Sequence, residues 1–118
     1  MRSLSMNRHS RKGLKIGYWE NYYLNGNLHW EGSFINGIKD SLWKSYWENG
    51  KLQSKGSFRD GLQDGIWEYY YDDGGLYRKG SYKNGLLDSY WEYYKESGEL
   101  DCIKNYREGE LYEKFRDK

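Results

Sequence analysis

Cys102 is the single thiol of the sequence, and His9 and His29 are its only imidazoles. A Cys/His nucleophile needs an imidazole within hydrogen-bond reach of the sulfur, and a zinc site needs several such ligands at short spacing. Neither pattern is present. His9 lies in a basic leader, His29 lies on a strand, and no Cys or His neighbours either at ligand spacing. Carboxylates are plentiful but recur at fixed places: Asp40, Asp64 and Asp88 each follow a turn in successive stretches of similar sequence. An acid that recurs in this way serves the turn rather than proton transfer. The glycines open strands and not a helix, so they make no phosphate loop. The chain is read as non-enzymatic, with no cofactor and no metal.

The other side chains able to do chemistry are aromatic, and the chemistry they offer is recognition. Aromatic residues make up 19% of the chain against 36% for all hydrophobic ones. With aliphatic residues scarce, Trp and Tyr must supply most of the buried area, each keeping a polar atom that can face water or a partner. The question is which rings hold the fold and which are free to bind.

A repeat positions them. Four blocks of 24 residues align without gaps at 17–40, 41–64, 65–88 and 89–112. Trp recurs at 19, 43, 67 and 91, Tyr at 22, 46, 70 and 94, Gly at 26, 50, 74 and 98, and a second Gly at 37, 61, 85 and 109. Such a fixed period marks a repeat array. Gly13 and Phe115 suggest a half-unit at each end, and the last block is degenerate, with Lys104 where Gly32, Gly56 and Gly80 stand.

Each unit holds two turn signals, such as Asp73-Gly74 and Asn84-Gly85. Read as two-residue type I′ hairpins, they predict an all-β, single-layer antiparallel meander of about nine strands, each roughly 9–11 residues. This register opposes Tyr71 to Leu76, Trp67 to Gly80 and Gly80 to Ser89. It sets Trp67, Tyr69, Tyr71, Tyr82 and Trp91 on one face, where a ring can cover a cross-strand glycine. The opposite face is polar apart from the Tyr22, Tyr46, Tyr70 and Tyr94 column. Bending along the Gly32–Ser41, Gly56–Gly65 and Gly80–Ser89 line would curl the aromatic face into a groove.

The pattern GxWxxYxxNGxLxxxGxYxNGxxD, nearly intact in residues 65–88, resembles the bacterial variant of the MORN repeat over about residues 13–115. The resemblance implies an elongated single-layer sheet. It also implies a binding role: proteins built mostly of this variant are often antitoxins or immunity proteins that engage a partner toxin. Longer MORN proteins are linked to phospholipids and to scaffolding.

Residues that break the repeat point to function, because the scaffold does not require them. Trp19, Trp43, Trp67 and Trp91 recur and serve the core. Trp30 stands where Ser54, Arg78 and Cys102 stand, and Trp47 replaces a Tyr or Lys. In the expected register Trp30 opposes Trp43 and lies diagonal to Trp19, so these three form a cluster with Tyr23 and Trp47 in the N-terminal half of the groove. Trp, Tyr and Arg dominate binding hot spots, which makes this cluster the first partner-contact candidate. Tyr69, Tyr71, Tyr77 and Arg78 are the second. Asp72, Asp73, Glu96, Glu99 and Asp101 form an acidic rim suited to a basic partner.

Charge and length bound the rest. The 118 residues suffice for one domain, read as a basic flexible leader over 1–12 and a repeat domain over 13–118. Arg2, Arg8, Arg11, Lys12 and Lys15 give residues 1–16 a charge of +5 within a net charge of +1. No stretch has the length of a membrane span or the apolar core of a secretory signal, so a cytoplasmic location is expected. The resulting expectation is a protein-binding module that blocks a partner, either an antitoxin or immunity protein or an inhibitor carried by a phage. The alternatives are a scaffold that self-associates through its open sheet edges, and a phospholipid- or nucleic-acid-binding protein acting through the basic leader.

Overall fold

The computed structural model describes residues 13–112 together with Ser3–Ser5 and Ser10–Arg11. The chain is all β. The first strands are β1 (Ser3–Ser5), β2 (Ser10–Arg11), β3 (Leu14–Lys15) and β4 (Gly17–Tyr23). The array continues through β5 (Leu28–Ile35), β6 (Ile38–Tyr46), β7 (Leu52–Arg59), β8 (Leu62–Tyr70) and β9 (Leu76–Lys83). It ends with β10 (Leu86–Tyr94), β11 (Leu100–Arg107) and β12 (Glu110–Leu111). From β4 to β12 each strand pairs with its sequence neighbour, which gives the nine-strand meander expected, and β1 adds to the free edge of β4. The leader is thus partly in the sheet, through Ser3–Ser5, and β2 pairs with β3 in a separate ribbon. His9, the basic residues Arg2, Arg8 and Lys12, and Phe115 of the C-terminal half-unit lie outside the described residues. No described helix is long and apolar enough to cross a membrane.

The radius of gyration is 16.8 Å, against about 13.5 Å for a compact chain of this length. The extents are 59 × 32 × 19 Å. Among the described residues no second layer covers the sheet, so its aromatic residues must bury one another.

The two turn signals of each unit are not equivalent, and here the expected register needs correction. At Asn36-Gly37, Asp60-Gly61, Asn84-Gly85 and Glu108-Gly109 both residues have positive φ, as a type I′ turn requires. At Asp73-Gly74 only the glycine does. The Gly74 amide donates to the Tyr71 carbonyl (3.0 Å) and the Tyr71 amide to the Gly75 carbonyl (2.8 Å), closing a three-residue loop. The Asp73 carboxylate holds that loop by accepting from the Gly75 amide at 2.9 Å, and Asn25 and Asn49 do the same in their units. The extra loop residue makes Tyr70, not Tyr71, the partner of Leu76, while Trp67 still pairs with Gly80. It also shortens the long strands to seven to nine residues.

The expected bend is a bulge. Three residues, Ser89, Tyr90 and Trp91, stand opposite the single Gly80, and the same happens at Gly32 and Gly56. Ser41, Gly65 and Ser89 take positive φ there, which throws the next residue outward and lays the following indole flat on the glycine. A Cβ at Gly80 would stand 2.2 Å from the Trp91 ring, and one at Gly56 would stand 2.1 Å from Trp67. Gly80 is therefore covered by Trp91, and the Trp67 ring lies on Gly56. Each indole is then satisfied: Nε1 of Trp43, Trp67 and Trp91 donates to the Ser33, Ser57 and Ser81 carbonyls at 2.9–3.0 Å. All three rings are buried, Trp91 completely.

Candidate functional site

The buried indoles alternate edge-to-face with one aromatic per hairpin. Phe34 meets Trp43 at 5.1 Å, Phe58 meets Trp67 at 5.1 Å and Tyr82 meets Trp91 at 5.1 Å between ring centres. This favourable quadrupolar geometry makes a continuous spine, and beside it runs a row of one residue per strand. Asn21, Trp30, Ser45, Ser54, Tyr69, Arg78, Tyr93 and Cys102 pair in succession across the sheet. The row is not repetitive. Trp30, Tyr69, Arg78 and Tyr93 put large side chains on it, but Ser45 and Ser54 sit together in the middle, their hydroxyls 2.5 Å apart. The result is a cleft of about 350 Å³ walled by Trp30 and Tyr69, with Trp43, Phe58 and Trp67 beneath and Lys39 and Gln63 at its margin.

The sequence candidates divide between this cleft and the scaffold. Trp30 pairs with Ser45, not Trp43, yet its ring stacks on Trp43 at 5.0 Å and forms one wall. Tyr69 forms the other wall. Arg78 lies over Tyr69 at 4.5 Å and over Trp91 at 5.0 Å. Trp19 is buried edge-on to Phe34 at 6.2 Å, with the Lys15 ammonium 5.1 Å from its ring centre.

Tyr23, Trp47 and Tyr71 do not join the cleft, because the three-residue loops carry them out to the sheet edge. Each is a staple to the following unit: Tyr23 donates to the Tyr46 carbonyl (2.7 Å), Trp47 to that of Tyr70 (3.2 Å) and Tyr71 to that of Tyr94 (2.5 Å). Trp47 is thus the structural equivalent of Tyr23 and Tyr71. The expected five-residue cluster is divided, leaving Trp30 and Trp43 at the cleft, Trp19 further along the spine, and Tyr23 and Trp47 as edge staples. Tyr77 is exposed with its ring 5.1 Å from Tyr71.

Asp72, Asp73, Glu96, Glu99 and Asp101 are all exposed. Burial, followed by the charges of Glu96, Tyr77, Asp101 and Asp73, raises the Tyr71 phenol above its ordinary value. His29 stacks on Tyr23 at 4.2 Å, and burial lowers its pKa. Cys102 lies on β11, toward the other end of the sheet.

The opposite face is a polar ladder. Tyr22, Tyr46, Tyr70 and Tyr94 donate to Glu20, Glu31, Glu68 and Glu92 at 2.5–2.7 Å. Burial and the Glu68 bond push the Tyr70 phenol up to about 12. The Tyr70 phenol, with Lys55 and Lys79 alongside at 3.6 and 3.7 Å, holds Glu68 below its ordinary value.

Of the residues that line the cleft, the sequence singled out Trp30, Trp43 and Tyr69 as contact candidates but not Ser45, Ser54, Lys39, Gln63 or Phe58, and Arg78 lies outside the lining. The signal was available in the repeat columns that vary, but small residues at a variable position do not attract notice as hot-spot types.

Residues 39–60 and 63–84 match the MORN repeat variant family. The matched units are the one that carries the cleft and the one after it, and the same strand, bulge and turn pattern extends on either side. These two units are thus similar to the MORN repeat variant. No curated protein matches the chain.

Proposed function

We propose that the chain is a non-catalytic protein-binding module that engages its partner through the aromatic cleft, as an antitoxin, an immunity protein or a phage-borne inhibitor would occlude a target. The observation that carries this reading is the interruption of the row at Ser45 and Ser54. The spine indoles Trp43 and Trp67 are buried, whereas Trp30 and Tyr69 stand partly exposed around an unfilled space. Aromatic walls around a partly desolvated pocket are how hot spots are built, and the exposed acids along one edge suit a basic surface beside it. Affinity capture by the full chain from its native host tests the reading. A protein retained by the native chain and lost with Trp30→Ala, but kept by the rim-distant Leu24→Ala, supports it. Equal retention by Trp30→Ala, or no retained protein, contradicts it.

A second reading is self-association. It is favoured by a stripe of exposed residues on the polar face: Leu42, Ile66 and Tyr90, which the bulges push out, and Tyr18, each 46–67% exposed. Light scattering separates the two, since a monomer at all concentrations removes the scaffold reading and leaves the module.

A further inference from the structure

The cleft has an internal template one repeat away. In the unit 65–88, Tyr69 lies between two tryptophans, its ring centre 6.1 Å from Trp67 at 26° and 6.3 Å from Trp91 at 30°. Its hydroxyl accepts from Gln63 Nε2 at 3.1 Å and meets Tyr82 Oη at 2.8 Å. Arg78 covers its outer side. Moving back by 24 residues reproduces the surroundings without the ring. Trp43 and Trp67 flank the space, but Ser45 replaces Tyr69 and Ser54 replaces Arg78. The space is the one that the Tyr69 phenol and the Arg78 side chain fill one unit on, and no ring of the described residues occupies it here.

Two further replacements define the end of that ring. Where Gln63 donates to the Tyr69 oxygen, the cleft has Lys39, whose ammonium lies 4.8 Å from the Trp43 ring centre and 5.1 Å from that of Phe58. Where Tyr82 offers a second hydroxyl, the cleft has Phe58. Of these two replacements only Lys39 is polar, and it is a cationic donor; Gln63, also at the margin, already donates to the Tyr69 hydroxyl. Lys39 favours an acceptor oxygen and repels an incoming Lys or Arg, and a charge-assisted bond to it is among the stronger kinds.

We propose that the cleft between Trp30 and Tyr69 is a socket for a tyrosine side chain of a protein partner. Its ring lies between Trp43 and Trp67 as Tyr69 lies between Trp67 and Trp91, and its hydroxyl accepts from Lys39. The protein source of the ring rests on the binding-module reading above; the socket itself does not.

The test is titration of the full chain with p-cresol, the tyrosine side-chain analogue, following the indole N–H signals of Trp43 and Trp67 by NMR. Saturable shifts in the millimolar range are expected, about tenfold weaker with toluene and with Lys39→Met, as loss of one charge-assisted hydrogen bond implies. Ser45→Tyr should abolish them, because the chain's own phenol then fills the socket, and should raise Tm rather than lower it. Ser45→Phe gives the same block without relying on the hydroxyl. Absence of saturable shifts, equal binding of toluene, unchanged binding in Ser45→Phe, or a lower Tm in both Ser45 variants overturns the socket. Those failures leave the binding-module reading intact. Binding of p-cresol by a chain that retains no protein supports the socket and removes the module reading.

Discussion

The unit 41–64 and the unit 65–88 share a backbone and differ in what they hold. Both have a three-residue loop at one edge and a type I′ turn at the other, and both set an indole on the preceding unit's glycine with nearly the same N–H bond. In one, Tyr69 and Arg78 fill the space beside the spine; in the other, Ser45 and Ser54 leave it open. The scaffold therefore does not need a ring at that place. What it needs is the indole lying on a glycine, the staple and the two turns, and the remaining columns are free to vary.

Breaking the shared part should cost most. Trp67→Ala removes the indole beneath the cleft and is expected to cost about 3–5 kcal/mol in urea unfolding. Gly56→Ala drives a methyl into the same ring from below and should cost about 1–3 kcal/mol. Lys104 stands at the glycine position of the last unit, and the chain has Phe115 rather than Trp one period after Trp91. Lys104→Ala should accordingly stay within about 0.5 kcal/mol of the native chain.

Exchanging the variable part should move stability less and binding more. Tyr69→Ser gives the filled unit the side chain of the open one and should cost about 2 kcal/mol. A weaker effect is expected at the edge. Tyr71→Phe loses only the bond to the Tyr94 carbonyl and should cost about 0.5–1.5 kcal/mol, measurable by the same unfolding titration.

The smallest contrasts are in pH. Because the folded pKa of Tyr70 is raised from 10.0 to about 12, its contribution is complete below about pH 10 and is lost as pH rises toward 12. Tyr70→Phe should flatten that alkaline decline. Glu68 has the opposite sign: its folded pKa is lowered from 4.5, so its contribution is present above that value and is lost as pH falls through the folded pKa. Stability curves of Glu68→Gln and the native chain should converge in acid.

The repeat, the meander and the bend line were legible because period, turn residues and alternation all pointed to the same sheet. The loop type was not, since Asn-Gly and Asp-Gly suit both a type I′ turn and a three-residue loop. The distinguishing mark lay one residue later. Ile38, Leu62 and Leu86 follow their glycines directly as strand residues, whereas Asn27, Lys51 and Gly75 intervene before Leu28, Leu52 and Leu76. That one residue decides whether Trp47 and Tyr71 reach the groove or the edge. The cleft was half legible: Trp30 and Tyr69 stand out as large residues, but the absence that makes them walls is carried by two serines.

The most direct test compares partner retention by the native chain and by Ser45→Tyr, with Tm measured on both. If recognition runs through the open unit, Ser45→Tyr is at least as stable as the native chain and loses the partner. A Ser45→Tyr chain that keeps its stability and still retains the partner at native affinity would contradict it.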